Sequence, residues 1–543
     1  MIKGFIFDFD NTLYNYDITN NYALEFIMND ITTKFDINLK DIEHTYNKIN
    51  KQIKDGNNPS KKFNKALYFK ILFEFFKIPL KFLNDYVCLY NSKFMECFKL
   101  YDGVVELFRF LKSKDIKIGI LSNNVFFQQY TKLLEASLIE YIDVIQTSDE
   151  CGEEKPNKFM FFTIQHKMKL PFDQLAYMGD NYVHDIEPSI ELGMLPFWFN
   201  ADHHDFKLIN KIIHVGSFIK MQSFLNDYFK NINELVFLSK YFGQSLLNVQ
   251  GPGGNISVKL DQLLFIKSSG CILGNISYTD GYCIVDKNEC DKMVKTNQNK
   301  ITEAKIYGYK VPSMETYFHS FMKKYTIHLH FTPSNIYFCS SNPINLEDFK
   351  YNHAIIDFYS PGIELANEIY KYYTHSCDIY FLKNHGLIIT ANEIMDVIAY
   401  FEYIFDYFNR KLNNIYENEA ICFLLNQIYN DNKMSVVVKI ADKMPIEVFR
   451  NMQVCFPDMA VFVKNITEIK SLEGFIENFI NYDIILYKNK VYCIAGNITK
   501  LYSLLEILES YKTIYVCNNG NLSLIKNLIQ IQNMPEEKYR NSL

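Results

Sequence analysis

Arginine is scarce in this sequence, which has 543 residues and 56 basic side chains but only four arginines: Arg109, Arg410, Arg450 and Arg540. Arginine is the side chain that binds phosphate and carboxylate groups through two parallel hydrogen bonds. A phosphate site in this protein must therefore rely on backbone N–H groups, hydroxyl groups and lysine. The 62 acidic residues give a net charge of −6. Because no basic field is available to attract nucleic acid, we expect no nucleic-acid partner.

Long apolar runs and paired cysteines are also missing. No uninterrupted apolar stretch reaches the roughly 18 residues that a membrane span requires, so we expect no membrane partner. Asp8 and Asp10 interrupt the first apolar stretch, which argues against a signal peptide. The 12 cysteines are scattered and include no Cys-x-x-Cys pair, as in proteins whose thiols stay reduced. These features predict a soluble, cytoplasmic protein.

The chain is long enough for three or four domains of about 150 residues each. An apolar, aromatic-rich run ends in carboxylates at residues 4–10 and is typical of a buried strand, whereas residues 14–99 have the apolar spacing of helices. Beyond residue 100 helices alternate with strands, which we predict near 116–121, 144, 175–178 and 195–199. The alternation predicts an α/β fold with a doubly wound parallel sheet, interrupted by a helical insert. A change of pattern places a domain boundary near residue 228.

Polar residues follow four of these predicted strands. In chain order they are Asp8, Asp10, Ser122, Lys155, Asp180 and Asp185. The first two are two residues apart and project to one side of an extended chain. Open α/β sheets bind ligands at the carboxyl ends of their strands. Taken singly, each residue could equally be an ordinary polar turn, a helix cap or a solvated lysine.

In this order and spacing, the six residues resemble the four motifs of the haloacid dehalogenase superfamily over about residues 1–225. The resemblance implies a phosphatase in which Asp8 is the nucleophile and Asp10 the general acid and base. It also implies that Ser122 and Lys155 hold the phosphoryl oxygens. The second acid, Asp10, favours a phosphatase over a dehalogenase.

The same resemblance implies a magnesium site and a domain layout. The ligands implied for Mg²⁺ are Asp8, Asp10, Asp180 and Asp185. A hard cation among these carboxylates would offset their mutual repulsion, so we expect Mg²⁺ as a cofactor. The predicted domain covers residues 1–228, with its core at 1–13 and 100–228 and a helical cap at 14–99.

Histidines supply a second candidate site. His328 and His330 alternate with apolar residues on a predicted strand, so both point to one face, and His385 follows another apolar strand at 379–382. Three imidazoles with an open fourth position are typical of catalytic zinc. Upstream, Glu315 precedes a predicted helix, where a carboxylate could equally interact with the helix dipole.

Glycine-rich loops precede this candidate zinc site. Backbone N–H groups of the turn at residues 251–254, Gly-Pro-Gly-Gly, could hold an anion. The turn is neither a Walker loop nor a dinucleotide-binding fingerprint. A second cluster of hydroxyl groups and glycine lies at 267–270. With so little arginine in the chain, we expect the phosphate of a substrate at these loops.

Together the histidines, the glutamate and the loops resemble the zinc-dependent class II aldolase and adducin family over roughly residues 230–410. The likeness is to the aldolase part of rhamnulose-phosphate aldolase/dehydrogenase proteins, without their dehydrogenase half. The resemblance implies that His328, His330 and His385 bind Zn²⁺ and that Glu315 moves a proton. The residues implied for the substrate phosphate are Gly254, Asn255, Ser257, Ser269, Gly270 and Ser313. It also implies a homo-oligomer formed through this domain.

We therefore expect a bifunctional enzyme whose substrates are phosphorylated sugars. Residues 1–228 would hydrolyse a phosphate monoester with Mg²⁺, and residues 229–434 would cleave or form a carbon–carbon bond in a phosphorylated ketose with Zn²⁺. Residues 435–543 are predicted to extend the second domain, although no motif assigns chemistry to them.

Two alternatives for the second domain stay open. It could be a sugar-phosphate epimerase or dehydratase, such as a ribulose-phosphate 4-epimerase or a methylthioribulose-phosphate dehydratase. Glu315 argues mildly against the epimerase, for which the resemblance implies aspartate. The domain could instead be a non-catalytic assembly module, as in adducin, although such modules lack the three histidines.

Overall fold

The structure is a computed structural model that describes most of the chain. The described residues are 2–56, 59–201, 206–245, 247–308, 310–340, 346–373, 377–411, four later strands, and residues 503, 504, 506–508, 510, 511 and 514. The chain divides into two compact units, Met1–Asp227 and Tyr228–Leu543. Within the described residues, none of the helices combines the length and the apolar character needed to cross a membrane.

A seven-stranded sheet forms the centre of the first unit. Its strands are β1 (Gly4–Phe7), β2 (Lys117–Ser122), β3 (Val144–Thr147), β4 (Leu175–Gly179), β5 (Leu195–Phe199), β6 (Lys207–Ile209) and β7 (Ile212–Val215). They lie in the order β3-β2-β1-β4-β5-β7-β6, and all neighbours are parallel except β6 and β7. The central strands are buried and mostly apolar, as parallel strands covered on both faces are. The predicted doubly wound sheet is confirmed.

Helices account for the rest of the first unit. Those of the insert are α1 (Tyr16–Phe35), α2 (Leu39–Lys54), α3 (Pro59–Lys62), α4 (Lys65–Phe75) and α5 (Leu83–Cys97), and those that connect strands are α6 (Val104–Ser113), α7 (Phe126–Glu135), α8 (Ser148–Cys151), α9 (Lys158–Met168) and α10 (Glu187–Glu191). Asparagine side chains accept backbone N–H groups at the start of three insert helices, at Asn15, Asn38 and Asn64. The predicted helical insert is therefore confirmed, and it lies between β1 and β2.

The second unit contains an eight-stranded sheet that is mostly antiparallel. Its strands are β8 (Asn255–Leu260), β9 (Leu263–Lys267), β10 (Tyr282–Asp286), β11 (Lys305–Tyr307), β12 (Tyr325–Leu329), β13 (His353–Ile356), β14 (Ile379–Leu382) and β15 (Gly386–Ala391). The order is β11-β10-β9-β8-β12-β15-β14-β13, with only the β13–β14 pair parallel within this described sheet. The register places His328 of β12 opposite Asn255 of β8 and Ile388 of β15. Strand β12 is therefore central and positions the histidines.

Among the described residues, six helices flank this sheet, and the first of them begins in the first unit: α11 (Phe218–Gly243), α12 (Lys287–Thr296), α13 (Thr316–Phe321), α14 (Thr332–Phe338), α15 (Ile363–Tyr372) and α16 (Ile394–Lys411). Side chains of α12, α13 and α15 pack on β9, β10 and β14 in one buried apolar cluster that includes Met293, Phe318 and Ile369. This core fixes the helix that follows Glu315.

A four-stranded sheet lies later in the chain. Its strands are β16 (Val436–Lys439), β17 (Ile466–Ile469), β18 (Ile484–Tyr487) and β19 (Lys490–Ala495), in the order β16-β19-β18-β17. Most of the predicted extension at 435–543 lies outside the described residues. Buried residues Ser503, Ser510 and Tyr511 also belong to the second unit, and the hydroxyl groups of Ser510 and Thr332 are hydrogen-bonded at 3.1 Å.

Candidate active sites

Three carboxylates meet at the carboxyl edge of the first sheet. Asp8 follows β1, Asp180 follows β4, and Asp185 lies in a π-helical turn, Tyr182–Ile186. One carboxylate oxygen from each residue lies within 4.8 Å of the other two. Gly179 permits this approach, because a Cβ at that position would lie 2.4 Å from Cγ of Asp185. The structure therefore brings together three of the residues that the sequence predicts as magnesium ligands.

Lys155 lies inside this carboxylate group. Its Nζ is 2.6 Å from Oδ1 of Asp8 and 2.6 Å from Oδ1 of Asp185, and it also contacts the hydroxyl group of Tyr177 at 3.2 Å. Burial raises the pKa of Asp8 to about 8 and that of Asp180 to about 6; the other carboxylates add to both shifts and Lys155 opposes them. One ammonium group therefore does not hold three carboxylates ionised. A divalent cation that prefers oxygen ligands would keep all three carboxylates ionised. The three aspartates therefore fit a Mg²⁺ site.

Thr12 lies between two of these carboxylates. Its hydroxyl group donates to Oδ2 of Asp8 at 2.9 Å and lies 3.3 Å from Oδ1 of Asp180. The side chain is fully buried. Thr12 therefore fixes the orientation of the candidate nucleophile, and the sequence analysis missed it.

Asp10 has a separate set of partners. Its Oδ1 accepts from the hydroxyl group of Tyr14 at 2.5 Å and from Nζ of Lys132 at 2.7 Å, while Oδ2 accepts from Asn124 at 2.9 Å and Gln129 at 2.8 Å. Burial raises the pKa of Asp10, but the charge and hydrogen bond of Lys132 outweigh this effect and lower the pKa overall. Asp10, a predicted magnesium ligand, is therefore ionised and is not brought into the group of three carboxylates.

Ser122 is connected to Asp10 through one side chain. Nε2 of Gln129 donates to Oγ of Ser122 at 2.6 Å as well as to Asp10. The sequence analysis missed Gln129 and Lys132. These two residues are three apart on α7, and helix positions three apart share a face, so this spacing could have identified them.

Three imidazoles meet in the second unit. His328 lies in β12, His330 follows that strand, and His385 lies in the turn between β14 and β15. Their ring centroids are 4.8, 5.0 and 5.3 Å apart, and one nitrogen of each ring lies within 4.8 Å of the other two. All three side chains are buried. The structure therefore brings together the predicted zinc ligands.

His328 is oriented as a metal-ligating histidine is. Its Nδ1 lies 3.2 Å from the carbonyl oxygen of Leu387, and its buried Nε2 has no hydrogen-bond partner. Burial lowers the pKa of His328 to about 3, so the ring is neutral at neutral pH. A proton on Nδ1, donated to the carbonyl, leaves a lone pair on Nε2. The residues therefore fit Zn²⁺.

Glu315 faces the imidazoles from the residue before α13. Its Oε1 lies 3.2 Å from Nε2 of His385, and its Oε2 lies 3.4 Å from Nε2 of His328. Burial raises the pKa of Glu315, but the imidazoles of His328, His385 and His330 outweigh this effect and hold the pKa well below its usual value. Glu315 is therefore a buried, ionised carboxylate beside the candidate zinc site.

Asn255 holds Glu315 in place through a buried chain of hydrogen bonds. Nδ2 of Asn255 donates to Oε2 of Glu315 at 2.6 Å, and Oδ1 of Asn255 is hydrogen-bonded to Nε2 of His319. Nδ1 of His319 is 2.7 Å from the hydroxyl group of Ser257. Burial lowers the pKa of His319 well below its usual value, so one ring nitrogen donates and the other accepts. The hydroxyl group of Ser257, a predicted phosphate contact, is thus already bonded.

The sequence analysis missed His319. It lies four residues after Glu315, a spacing that places two side chains on one face of a helix. That spacing is the signal that could have identified it.

Other predicted phosphate-binding residues lie on adjoining loops. Asn255 donates to Oγ of Ser313 at 3.2 Å, and the backbone N–H of Ser313 donates to the carbonyl oxygen of Lys267 at 3.2 Å. Nζ of Lys267 donates to the carbonyl oxygen of Pro252 at 2.7 Å. Ser269 follows two residues after Lys267 and is buried. The glycine turn and the serine loops are therefore joined around one region of the sheet.

The glycine turn itself is partly occupied. The N–H of Gly251 donates to the carboxylate of Glu506 at 2.5 Å, and the N–H of Gly253 donates to the carbonyl oxygen of Gln250, just before the turn, at 3.0 Å. Gly254 and Gly270 have φ values of +62° and +72°, which favour glycine. Two amides of the turn are thus already used, one of them by a carboxylate from late in the chain.

The chain matches two families. Residues 5–198 match the haloacid dehalogenase-like hydrolases, and residues 233–409 match the class II aldolase and adducin N-terminal domain. The protein is therefore a fusion of a haloacid dehalogenase-like domain with a class II aldolase and adducin domain. The predicted resemblances are confirmed.

Several phosphatases are among its relatives. A glyceraldehyde 3-phosphate phosphatase of Methanocaldococcus jannaschii is 29% identical over 197 residues, which are 36% of this chain and 83% of that protein. A ribulose-1,5-bisphosphate 5-phosphatase of Halopiger xanaduensis is 26% identical over 202 residues, which are 36% of this chain and 83% of that protein. Among solved structures, the N-terminal class II aldolase domain of a Thermoplasma acidophilum protein is 22% identical with a TM-score of 0.31, and the match covers 34% of this chain and 93% of that one.

Proposed function

We propose that the protein is a bifunctional sugar-phosphate enzyme. The first domain hydrolyses a phosphate monoester with Mg²⁺, and the second cleaves or forms a carbon–carbon bond in a phosphorylated ketose with Zn²⁺. The observation that carries this proposal is the presence of two groups of metal-ligand side chains, one of three carboxylates and one of three buried imidazoles, each beside a candidate catalytic carboxylate. The sugar-phosphate phosphatases among the relatives support the substrate class.

In the first domain, Asp8, Asp180 and Asp185 would hold Mg²⁺, which when bound neutralises charge at the phosphoryl group. Asp8 attacks phosphorus to form an aspartyl phosphate and to release the alcohol, and water then hydrolyses this acyl phosphate to inorganic phosphate and free Asp8. Lys155, 2.6 Å from Asp8, offsets the charge of the phosphoryl oxygens.

Asp10 moves the protons of this reaction. It must gain a proton before it can protonate the leaving oxygen, because the structure has it ionised. Nζ of Lys132, at 2.7 Å, is a donor on its Oδ1, and burial lowers the pKa of Lys132 although Asp10 opposes this shift. In the second half-reaction Asp10 takes a proton from water.

In the second domain, His328, His330 and His385 would hold Zn²⁺, which when bound acts as a Lewis acid on the substrate carbonyl. Glu315 accepts the proton that leaves the substrate hydroxyl when the carbon–carbon bond breaks. Asn255 keeps the carboxylate oriented through its 2.6 Å hydrogen bond. The buried chain behind Asn255 prevents it from rotating.

A screen of phosphorylated ketoses and aldoses tests the proposal. Inorganic phosphate and dihydroxyacetone phosphate are measured in parallel, with Mg²⁺ and Zn²⁺ supplied. We expect at least one ester to release phosphate and at least one ketose phosphate to yield dihydroxyacetone phosphate. Loss of water without a released aldehyde would contradict the aldolase and indicate a dehydratase, and no phosphate from any ester would contradict the phosphatase.

A further inference from the structure

A cavity in the first unit contains two lysines. It has a volume of about 130 Å³, and its walls come from α1, α4 and α5 of the insert and from α7. The aromatic rings of Tyr16, Tyr90 and Phe94 line it together with Lys65 and Lys132.

One end of the cavity adjoins the candidate phosphatase site. Lys132 is 6% exposed, and its Nζ is 2.7 Å from Asp10. Under the proposed mechanism, Asp10 protonates the oxygen that links phosphorus to the rest of the substrate. The organic part of the substrate therefore extends past Lys132 into the cavity.

Lys65, which also lines the cavity, has no anionic partner. Its Nζ donates to the hydroxyl group of Tyr46 at 3.1 Å and lies 5.3 Å from the ring centroids of Tyr68 and Tyr90. Among the described residues, no carboxylate lies within 4.0 Å of it, whereas Lys132 and Lys155 both have aspartate partners at this distance. Burial lowers the pKa of Lys65 to about 7, and the charge of Lys132 adds to the shift.

We propose that Lys65 binds a second anionic group of the substrate, at the end remote from the phosphate that is hydrolysed. The substrates of the first domain would then be small phosphate esters that also carry a carboxylate or a second phosphate. This inference rests on the proposed phosphatase function. Lys65 is only partly exposed, and an ammonium group that is partly withdrawn from water without a counter-ion is destabilised, which an anionic substrate group beside it would offset.

Lys65 and Tyr16 also line a second, wider cavity of about 580 Å³ within the insert. Its wall carries charges of both signs, from Lys54 and Lys62 and from Asp17, Glu25 and Glu43. Space for a group as large as phosphate is therefore present beyond the smaller cavity. Lysine binds phosphate and carboxylate as a point charge and needs no particular geometry from the anion.

Two matched pairs of esters test this inference. In the first pair, 3-phosphoglycerate has a carboxylate where glyceraldehyde 3-phosphate has an aldehyde. In the second, ribulose 1,5-bisphosphate has a phosphate where ribulose 5-phosphate has a hydroxyl group. We expect the wild-type protein to show a kcat/KM at least about tenfold higher for the anionic member of one pair, and the pair that responds identifies the anion.

Variants of Lys65 then link the preference to this side chain. Lys65→Gln should reduce the ratio of kcat/KM values within the responding pair at least about tenfold, mainly through KM, and Lys65→Arg should retain most of it. Lys70→Gln is the matched control, because Lys70 lies on the same helix but is exposed and paired with Glu74 at 2.6 Å. The ratio of kcat/KM values that Lys70→Gln shows for the responding pair should equal that of the wild-type protein.

Two results would overturn the inference while leaving the phosphatase function intact. One is a wild-type protein that hydrolyses the uncharged member of both pairs as fast as the anionic member. The other is a Lys65→Gln protein with an unchanged ratio. If no ester of either pair releases phosphate, the phosphatase function itself is contradicted. The wild-type comparison needs no variant and does not depend on whether Lys65→Gln folds.

Discussion

The two candidate sites balance charge differently. In the first unit, Asp8, Asp180 and Asp185 surround the single ammonium group of Lys155, and their repulsion raises the pKa of two of them beyond the effect of burial. In the second unit, burial keeps His328 neutral beside the carboxylate of Glu315. The carboxylate site therefore depends on cations for its stability as well as its chemistry. At the imidazole site, a cation would offset the charge of a single buried carboxylate, that of Glu315.

The largest expected effect is on phosphate release. Asp8→Asn removes the nucleophile without changing the shape of the side chain, so we expect phosphate release to fall at least about a thousandfold. Aldol cleavage and zinc content should equal those of the wild-type protein, because the imidazole site does not include this residue. Residual phosphate release within tenfold of wild type would contradict the assignment of Asp8.

Lys155→Met tests the dependence of the first unit on positive charge. Removal of one partner from a buried ion pair typically costs about 3–5 kcal/mol, so we expect a fall of this size in the free energy of unfolding of this unit without Mg²⁺. Saturating Mg²⁺ should restore part of the lost free energy of unfolding. Chemical denaturation with and without Mg²⁺ gives both values.

The matched control for this variant is Lys158→Met. Lys158 pairs with Glu191 at 2.7 Å, but both side chains are about half exposed. Exposed ion pairs contribute about 0–1 kcal/mol, so Lys158→Met should change the free energy of unfolding only slightly. Equal destabilisation by both variants would show that the carboxylate site does not need Lys155.

His330→Ala tests the second site in the same protein. Loss of one of three imidazole ligands should remove bound zinc and lower aldol cleavage at least about a hundredfold. Phosphate release should be unchanged. Loss of both activities in this variant would mean that the two sites do not work separately.

A smaller effect is expected from Asn255→Ala. This variant frees Glu315 from its 2.6 Å hydrogen bond but leaves all three histidines in place. Partners that orient a metal site typically contribute a factor of about 10–100, so aldol cleavage should fall by this amount at full zinc content. Zinc loss together with activity would instead indicate that Asn255 supports the ligands themselves.

The smallest effect concerns pH. Burial lowers the pKa of Lys259 in the second unit to about 7, and its Nζ donates to the carbonyl oxygen of Lys323 at 2.5 Å. Between pH 7 and the unfolded pKa near 10.5, the unfolded state binds more protons, so stability should rise with pH in this window. Lys259→Met should remove that rise. An equally steep pH dependence in the variant would contradict this account.

The carboxylates could be predicted because each directly follows a short apolar run. Such runs are buried strands, and parallel strands end at one edge of the sheet, so Asp8 and Asp180 had to lie close together. For the partners of Asp10, the spacing predicts only that Gln129 and Lys132 share one face of a helix, not that this face turns toward Asp10. Gln129 and Lys132 come from α7, and the rotation of a helix about its axis depends on what it packs against.

The second unit shows the same limit of prediction. The alternation in β12 placed two histidines on one face, and the end of β14 placed the third nearby. The sequence pattern does not separate β15 from β14. The pairing of β15 with β12 nevertheless brings the carbonyl oxygen of Leu387 to His328. In the first unit, the sequence pattern likewise does not indicate α9 or the hairpin of β6 and β7. Short elements of this kind depend on tertiary contacts more than on local pattern.

The metal content of three purified proteins tests the central claim most directly. Elemental analysis of the wild-type, Asp8→Asn and His330→Ala proteins, each dialysed without chelator, measures zinc per chain. Two independent sites predict one zinc in the wild-type and Asp8→Asn proteins and almost none in His330→Ala. A wild-type protein without stoichiometric zinc, or a His330→Ala protein that retains it, would contradict the account.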